Sequence, residues 1–192
     1  MRVSVRDAEA TRRRLLDAAR AEFAEHGIAG ARVDRIAANA QSNKAQIYHY
    51  FGSKDQLFDA VWEELVKQIV QTAPIDVEDL PEFAARLSET YAEHPDLMRL
   101  ITWEHLERGA DPPHAYAVQD TQSRVDRIAD AQAKGLVPDR FPAPVLFALI
   151  IHIAALWGMS SPNVLAVVNV NDPDQRRQIV EQAVATLLAQ QP

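Results

Sequence analysis

The sequence predicts an all-α protein, an N-terminal three-helix helix-turn-helix domain followed by a larger helical body. Three observations carry this expectation. Apolar residues recur at three- and four-residue spacing along most of the 192 residues. Proline and glycine cut the chain into helix-length segments. Residues 165–170, LAVVNV, are β-branched, but no partner strand is visible, so they read as a loop or a helix end.

The elements follow in order. Residues 8–26 form one amphipathic helix, with Leu15, Ala18, Ala19 and Phe23 inward and Gly27 ending it. Val33, Ile36 and Ala37 give a short helix that ends near Ala40. Gln41-Ser42 make a tight turn, and Asn43 caps a second short helix through its side-chain oxygen. There Ile47, Tyr50 and Phe51 share the buried face. Gly52 stops this helix and Ser53 caps the next, residues 53–72, whose buried stripe is Leu57, Phe58, Val61, Leu65 and Ile69. Pro74 breaks it. Asp79 or Leu80 opens a helix that tolerates Pro81 in its first turn and carries Phe83, Leu87 and Tyr91 to His94. Residues 95–106 are helical, up to Gly109 and Pro112-Pro113. A polar helix covers 114–134 and stops at Gly135. After Pro142 and Pro144, residues 145–158 are almost wholly apolar apart from His152. The last helix, 174–190, places Ile179, Val180, Ala183 and Leu187 on one stripe.

Two short helices joined by a tight turn are the unit that inserts its second helix into a major groove. On that second helix Lys44, Ala45, Gln46, Tyr48 and His49 are left off the buried face. Gln46 can pair bidentately with adenine, and Lys44 can reach guanine or a phosphate. Ala45 is small enough to let the helix approach a thymine methyl. Tyr48 and His49 can meet base edges or backbone, and Tyr50 a phosphate. Lys54, at a helix N-terminus, is expected on a phosphate.

At these residues the chain resembles the tetracycline-repressor (TetR) family of one-component bacterial transcriptional regulators. The shared pattern starts with Thr11-Arg12-x-x-Leu15-Leu16-x-Ala18-Ala19 and Phe23-x-x-x-Gly27. It continues through Val33-x-x-Ile36-Ala37 and closes with Ile47-Tyr48-His49-Tyr50-Phe51-x-Ser53-Lys54-x-x-Leu57. The resemblance implies double-stranded operator DNA as partner, residues 1–54 as the DNA-binding domain, and residues 55–192 as an effector-binding and dimerisation domain. Two positions depart from the family pattern. Gln41-Ser42 stands where members commonly carry glycine and a small apolar residue, and a non-glycine residue at positive φ costs about 1 kcal/mol. Arg32 stands where a Ser or Thr cap is usual, and losing that cap costs on the order of 1 kcal/mol; arginine there can contact phosphate instead.

The net charge of −7 argues against nucleic acid until its distribution is read. Residues 1–60 hold ten Lys/Arg against eight Asp/Glu, and the rest holds ten against nineteen. A basic end on an acidic body fits a DNA-reading module joined to an effector module. Cysteine is absent, which excludes disulfides and thiolate metal sites. No apolar run reaches a membrane span, and Met1-Arg2-Val3 leads into charge rather than a signal peptide, so the expected location is the cytoplasm. His94, His105 and His152 have no known ligand spacing; neither metal nor cofactor is expected.

A helix apolar on nearly all sides must be covered on all sides, so residues 145–158 and 174–190 are expected to form a four-helix homodimer interface. Its candidates are Phe147, Ile150, Ile151, Ala154, Ala155, Gly158, Ile179, Val180, Ala183 and Leu187. For a small, largely apolar effector the candidates are Phe83, Leu87, Tyr91, Met98, Ile101, Trp103, Glu104, His105 and Trp157. The competing readings are an enzyme, for which no phosphate loop, nucleophile elbow or zinc motif is visible, and a helical adaptor binding another protein through residues 80–134 without sequence-specific DNA binding.

Overall fold

The computed structural model describes residues 5–109 and 111–189, with side chains from Asp7 onward. Met1-Arg2-Val3 and the expected helix end at Gln190 lie outside the described residues. The elements are α1 (Val5–Gly30), α2 (Val33–Asn39), α3 (Lys44–Phe51), α4 (Lys54–Thr72), α5 (Leu80–Glu93), α6 (Pro95–Arg108), α7 (Ala115–Ala133), α8 (Ala143–Ala154), α9 (Leu156–Met159), α10 (Pro162–Val168) and α11 (Pro173–Leu188). Among the described residues there is no strand, and no helix is long and apolar enough to cross a membrane.

Most boundaries follow from the capping chemistry. Asn43, Ser53 and Asp79 each accept a backbone N–H from three residues on, at 3.0–3.1 Å. Gly27 interrupts α1 with φ 72°, and a side chain there has no room, since its Cβ would lie 2.9 Å from the Trp103 ring. The segment 165–170 is a helix end, one of its two expected readings. Residues 165–168 belong to α10, which Ser161 caps and which Asn169 ends in the left-handed conformation at φ 53°. The apolar helix also differs: it begins at Ala143, with Pro144 in its first turn, and is interrupted at Ala155.

Packing divides the chain into two compact units, Met1–Val66 with Asp96–His114, and Lys67–Pro95 with Ala115–Pro192. This differs from the expected boundary at 54/55, because α6 packs with α1. Arg20 pairs with Asp96, Arg99 Nε and Trp103 Nε1 donate to the Ala24 carbonyl at 2.6 and 3.3 Å, and Glu107 accepts the Ala29 N–H at 2.7 Å. Helix α4 contributes residues up to Val66 to the first unit, Leu65 included, and Ile69 to the second. The second unit is built on α5, which packs against α11 and α8, with α7 on α8. Phe83, Leu87, Ile128, Leu146, Ile150, Val180 and Val184 fill its core.

The first unit is organised around a buried carboxylate. Glu22 of α1 is 5% exposed and accepts both the Arg32 backbone N–H and the Arg35 Nε, at 2.8 Å each. Arg32 makes no side-chain cap, so Glu22 supplies from another helix the acceptor that the start of α2 lacks. Burial alone would raise the Glu22 pKa. The hydrogen bonds from Arg35 and Arg32 and the charges of Arg35 and His26 outweigh it and hold the carboxyl below its ordinary 4.5. A depressed carboxyl contributes stability that is present above its unfolded pKa and lost as pH falls through the folded value. The thermal unfolding temperature is therefore expected to fall with acidification below about pH 4.5. Glu22→Gln should cost about 1–3 kcal/mol at neutral pH and flatten that acid dependence.

Candidate nucleic-acid interface

Helices α2 and α3 are held by Ile36, Ala37, Ala40, Ile47 and Phe51, all buried against the first unit. The turn between them does require a left-handed residue. Gln41 has φ 51°, and Ser42 N–H closes the turn onto the Ala37 carbonyl at 2.9 Å. Asn43 then starts α3 and Gly52, at φ 80°, ends it. This frame leaves Lys44, Ala45, Gln46, Tyr48 and His49 exposed on one short, rigid helix. Tyr50 is half-buried, its ring edge-on to His49 at 5.4 Å, as a residue shared between packing and the surface must be.

Gln46 is already oriented. Ser42 Oγ donates to Gln46 Oε1 at 2.6 Å, which leaves the amide nitrogen to donate and a second lone pair on the oxygen to accept. That is the pair of functions adenine presents in the major groove. The cations are less free than their sequence positions imply. Lys54 differs from expectation: its Nζ donates to the Ala29 and Ala31 carbonyls at 3.3 Å each, so its charge sits on the C-terminal end of α1. Arg35 is held by Glu22, and Lys44 Nζ lies 2.6 Å from Asp34 Oδ1. Arg32 is exposed. The sequence reading passed over Glu22, Arg35 and Asp34. Asp34 had a visible signal, because it is the only carboxylate between residues 31 and 54.

Comparison with known proteins gives this arrangement a family. The model described as "Bacterial regulatory proteins, tetR family" matches residues 15–61, and "Tetracyclin repressor-like, C-terminal domain" matches residues 79–185, more than half of the chain. The chain belongs to the TetR family. It is a DNA-binding helix-turn-helix transcriptional regulator, and the adaptor reading falls away. Among its relatives, the HTH-type transcriptional repressor SCO4008 of Streptomyces coelicolor is 43% identical, over 83% of this chain and 84% of that protein. The HTH-type transcriptional repressor NicS of Pseudomonas putida is 32% identical, over 71% of this chain and 70% of that one. The crystal structure of the putative transcriptional regulator SCO4942 of Streptomyces coelicolor superposes with a TM-score of 0.83 at 36% identity, covering 94% of this chain and 99% of that chain.

Outside the DNA-binding helices, this TetR-family chain distributes the expected site residues differently. Of the nine effector candidates, Phe83, Leu87, Tyr91 and Trp157 lie in the second unit, and Met98, Ile101, Trp103, Glu104 and His105 in the first. Phe83 and Leu87 are fully buried in the core. Trp103 and Trp157 spend their indole N–H groups on the Ala24 and Arg176 carbonyls. Both tryptophans are therefore fixed by packing. Tyr91 is different in kind, because burial, opposed by the charge of Arg124, pushes its hydroxyl up to about 12. A cleft of about 470 Å³ in the second unit, between Val77, Leu80, Gln132, Leu136, Val137 and Leu188, includes none of the nine. Among the described residues no group of three or more His, Asp or Glu could hold a metal.

The dimer candidates need a similar correction. Phe147, Ile150, Ala154, Ala155 and Val180 are at most 6% exposed in the single chain, so a partner has nothing left to cover there. What α8 and α9 leave open is the stripe Val145, Ala148, His152 and Leu156, on one helical face at three- and four-residue spacing. Gly158 and Ala183 are exposed, and Ile151, Ile179 and Leu187 are half-buried.

Two substitutions separate reading from framing. Gln46→Ala is expected to cost about 1–3 kcal/mol on the operator and to change preference at one base pair, measured by competition against single-base operator variants. Lys54→Ala should lower the thermal unfolding temperature through the lost α1 contacts and weaken operator and random DNA by similar factors.

Proposed function

We propose that this regulator is a ligand-responsive repressor that acts in the cytoplasm and binds a palindromic operator as a homodimer. The observation that carries the reading is α3 itself, a capped and buried-on-one-side helix that presents Ala45, Gln46, Tyr48 and His49 together. The relatives SCO4008 and NicS, both named as repressors, support the direction of control. Base contacts are assigned to Lys44, Ala45 and Gln46, and base-edge or backbone contacts to Tyr48 and His49. Arg32 and Tyr50 are assigned to phosphates, with Lys54 in support. A single three-helix head makes too few contacts for specific binding at physiological salt, and a two-fold pair reads two half-sites. Sequencing the fragments that the purified protein retains from its genome tests the function directly; an absence of any inverted repeat would overturn it.

The dimer is assigned to the open stripe of α8 and α9 with Ile151, Gly158, Ile179, Ala183 and Leu187. Because Val145 and Ala183 are exposed in the single chain, Val145→Arg or Ala183→Arg leaves the core intact while burying a charge at the interface. Sedimentation is expected to show a dimer for the wild type and dissociation for either variant. A stable wild-type monomer at micromolar concentration would remove both the dimer and the palindrome.

For the effector, we propose a small, largely apolar molecule that carries a hydrogen-bond acceptor. Trp62 Nε1 is buried without an acceptor among the described residues, beside the His114 ring at 5.5 Å. A buried, unpaired N–H is a standing cost that such an acceptor would relieve. The molecule must prefer the DNA-incompetent conformation, since equal affinity for both states shifts nothing. A coupling of about 1–3 kcal/mol lowers operator affinity roughly 5- to 150-fold. A thermal-shift screen followed by operator release is the measurement; hits that stabilise the protein and leave DNA affinity unchanged would show binding without induction.

A further inference from the structure

Four cations lie between residues 31 and 54: Arg32, Arg35, Lys44 and Lys54. Three of them are engaged inside the protein: Arg35 by Glu22, Lys54 by two carbonyls, and Lys44 by Asp34. The third arrangement is unlike the other two. Glu22 is buried and the carbonyls terminate a helix, so both have structural work to do. Asp34 and Lys44 are both more than half exposed, on consecutive helices, and an exposed pair of this kind contributes little to stability. The only carboxylate of the DNA-binding motif is thus placed on a surface that must approach a phosphate lattice, and it holds the first residue of the recognition helix.

We propose that Asp34 is a specificity-determining positioning residue, which holds Lys44 off the DNA backbone and so suppresses non-specific binding. A lysine at the start of a groove-entering helix, left alone, is a flexible point charge that can take a phosphate on any sequence. Pairing with Asp34 at 2.6 Å neutralises that charge, restricts its rotamers and keeps it fully protonated, the hydrogen bond to Asp34 raising the Lys44 pKa. In the paired state Lys44 adds little to the counterion release that drives random-sequence binding. An ammonium has three donors, so one can stay on Asp34 while another reaches a guanine acceptor on the groove floor. The proposal rests on the reading of Lys44 as a base-contacting residue and adds to it the carboxylate that sets its selectivity.

The test is Asp34→Asn in the full-length protein, with affinities for the operator and for random duplex DNA measured across salt concentration. Random-DNA affinity is expected to rise roughly three- to tenfold near physiological salt, and the salt slope to steepen by about 1 per head. Operator affinity should change less, so discrimination falls and preference relaxes at one base pair. Asp34→Glu should restore the wild-type slope. In a Lys44→Ala background, Asp34→Asn should have little effect on random DNA. An equal rise there would show that the carboxylate acts by plain repulsion and not through Lys44, which overturns the proposal. An unchanged slope with a lowered unfolding temperature would make the pair a fastener between α2 and α3, and overturn it equally. Lys44→Ala alone separates the two readings: unchanged operator affinity and base preference would remove Lys44 itself from the readout.

Discussion

The DNA-reading end of this protein depends on one buried carboxylate. Helix α2 is only seven residues long, and the residue at its cap position, Arg32, makes no side-chain cap. A helix so short has little stability of its own, and its first N–H groups need an acceptor. Glu22 answers from α1 by taking the Arg32 N–H and the Arg35 guanidinium at once. The consequence extends beyond α2. Its orientation sets the Ala40-Gln41-Ser42 turn, and the turn sets where α3 begins, so the exposed face of α3 is fixed three contacts away from it.

The same unit shows why α6 belongs with the DNA-binding helices although it is distant in sequence. Gly27 bends the end of α1 at positive φ and leaves no space for a side chain, and the Trp103 ring fills the place that a Cβ would take. Trp103 and Arg99 hydrogen-bond to Ala24, and Glu107 caps the exposed Ala29 N–H. Arg108 adds an ion pair with Asp59 at 2.6 Å and stacks over Phe58 at 4.8 Å. Burial opposes the Arg108 charge, and the hydrogen bonds to Asp59 and Asp55 more than compensate, so its pKa is raised. A helix tied to α1 and α4 by this many polar contacts cannot shift without breaking them.

Charge in the motif is handled locally. Lys44 and Lys54, two cations read from the sequence as possible phosphate contacts, are engaged by Asp34 and by the carbonyls ending α1, and Arg35 is held by Glu22. A motif that neutralises its own cations in this way leaves less charge for the long-range attraction that any DNA supplies. That balance also fits a chain whose net charge is −7.

The sequence by itself determined the helical class, the helix-turn-helix with its Asn43 and Ser53 caps, the glycine stops, and the exposed face of α3. These are local: each depends on residues three or four apart, and periodicity and capping chemistry record them directly. The turn at Gln41-Ser42 was legible as a turn, but the left-handed conformation of Gln41 was not, because nothing local requires a non-glycine residue to take positive φ. The tertiary structure alone decided which apolar residues face the chain's own core and which remain open. Ile150 and Val180 share a pattern with Ile151 and Ala183, yet only the first two are sealed within the chain. It also decided the partners of Glu22, Lys54 and Trp103, and the placement of the effector candidates in two separate units. LAVVNV is a helix end as read, because β-branched residues disfavour a helix by only tenths of a kcal/mol each, and a serine cap and a proline start outweigh them. Contacts between residues seventy positions apart leave no periodic trace in a single sequence, and packing is what chooses among them.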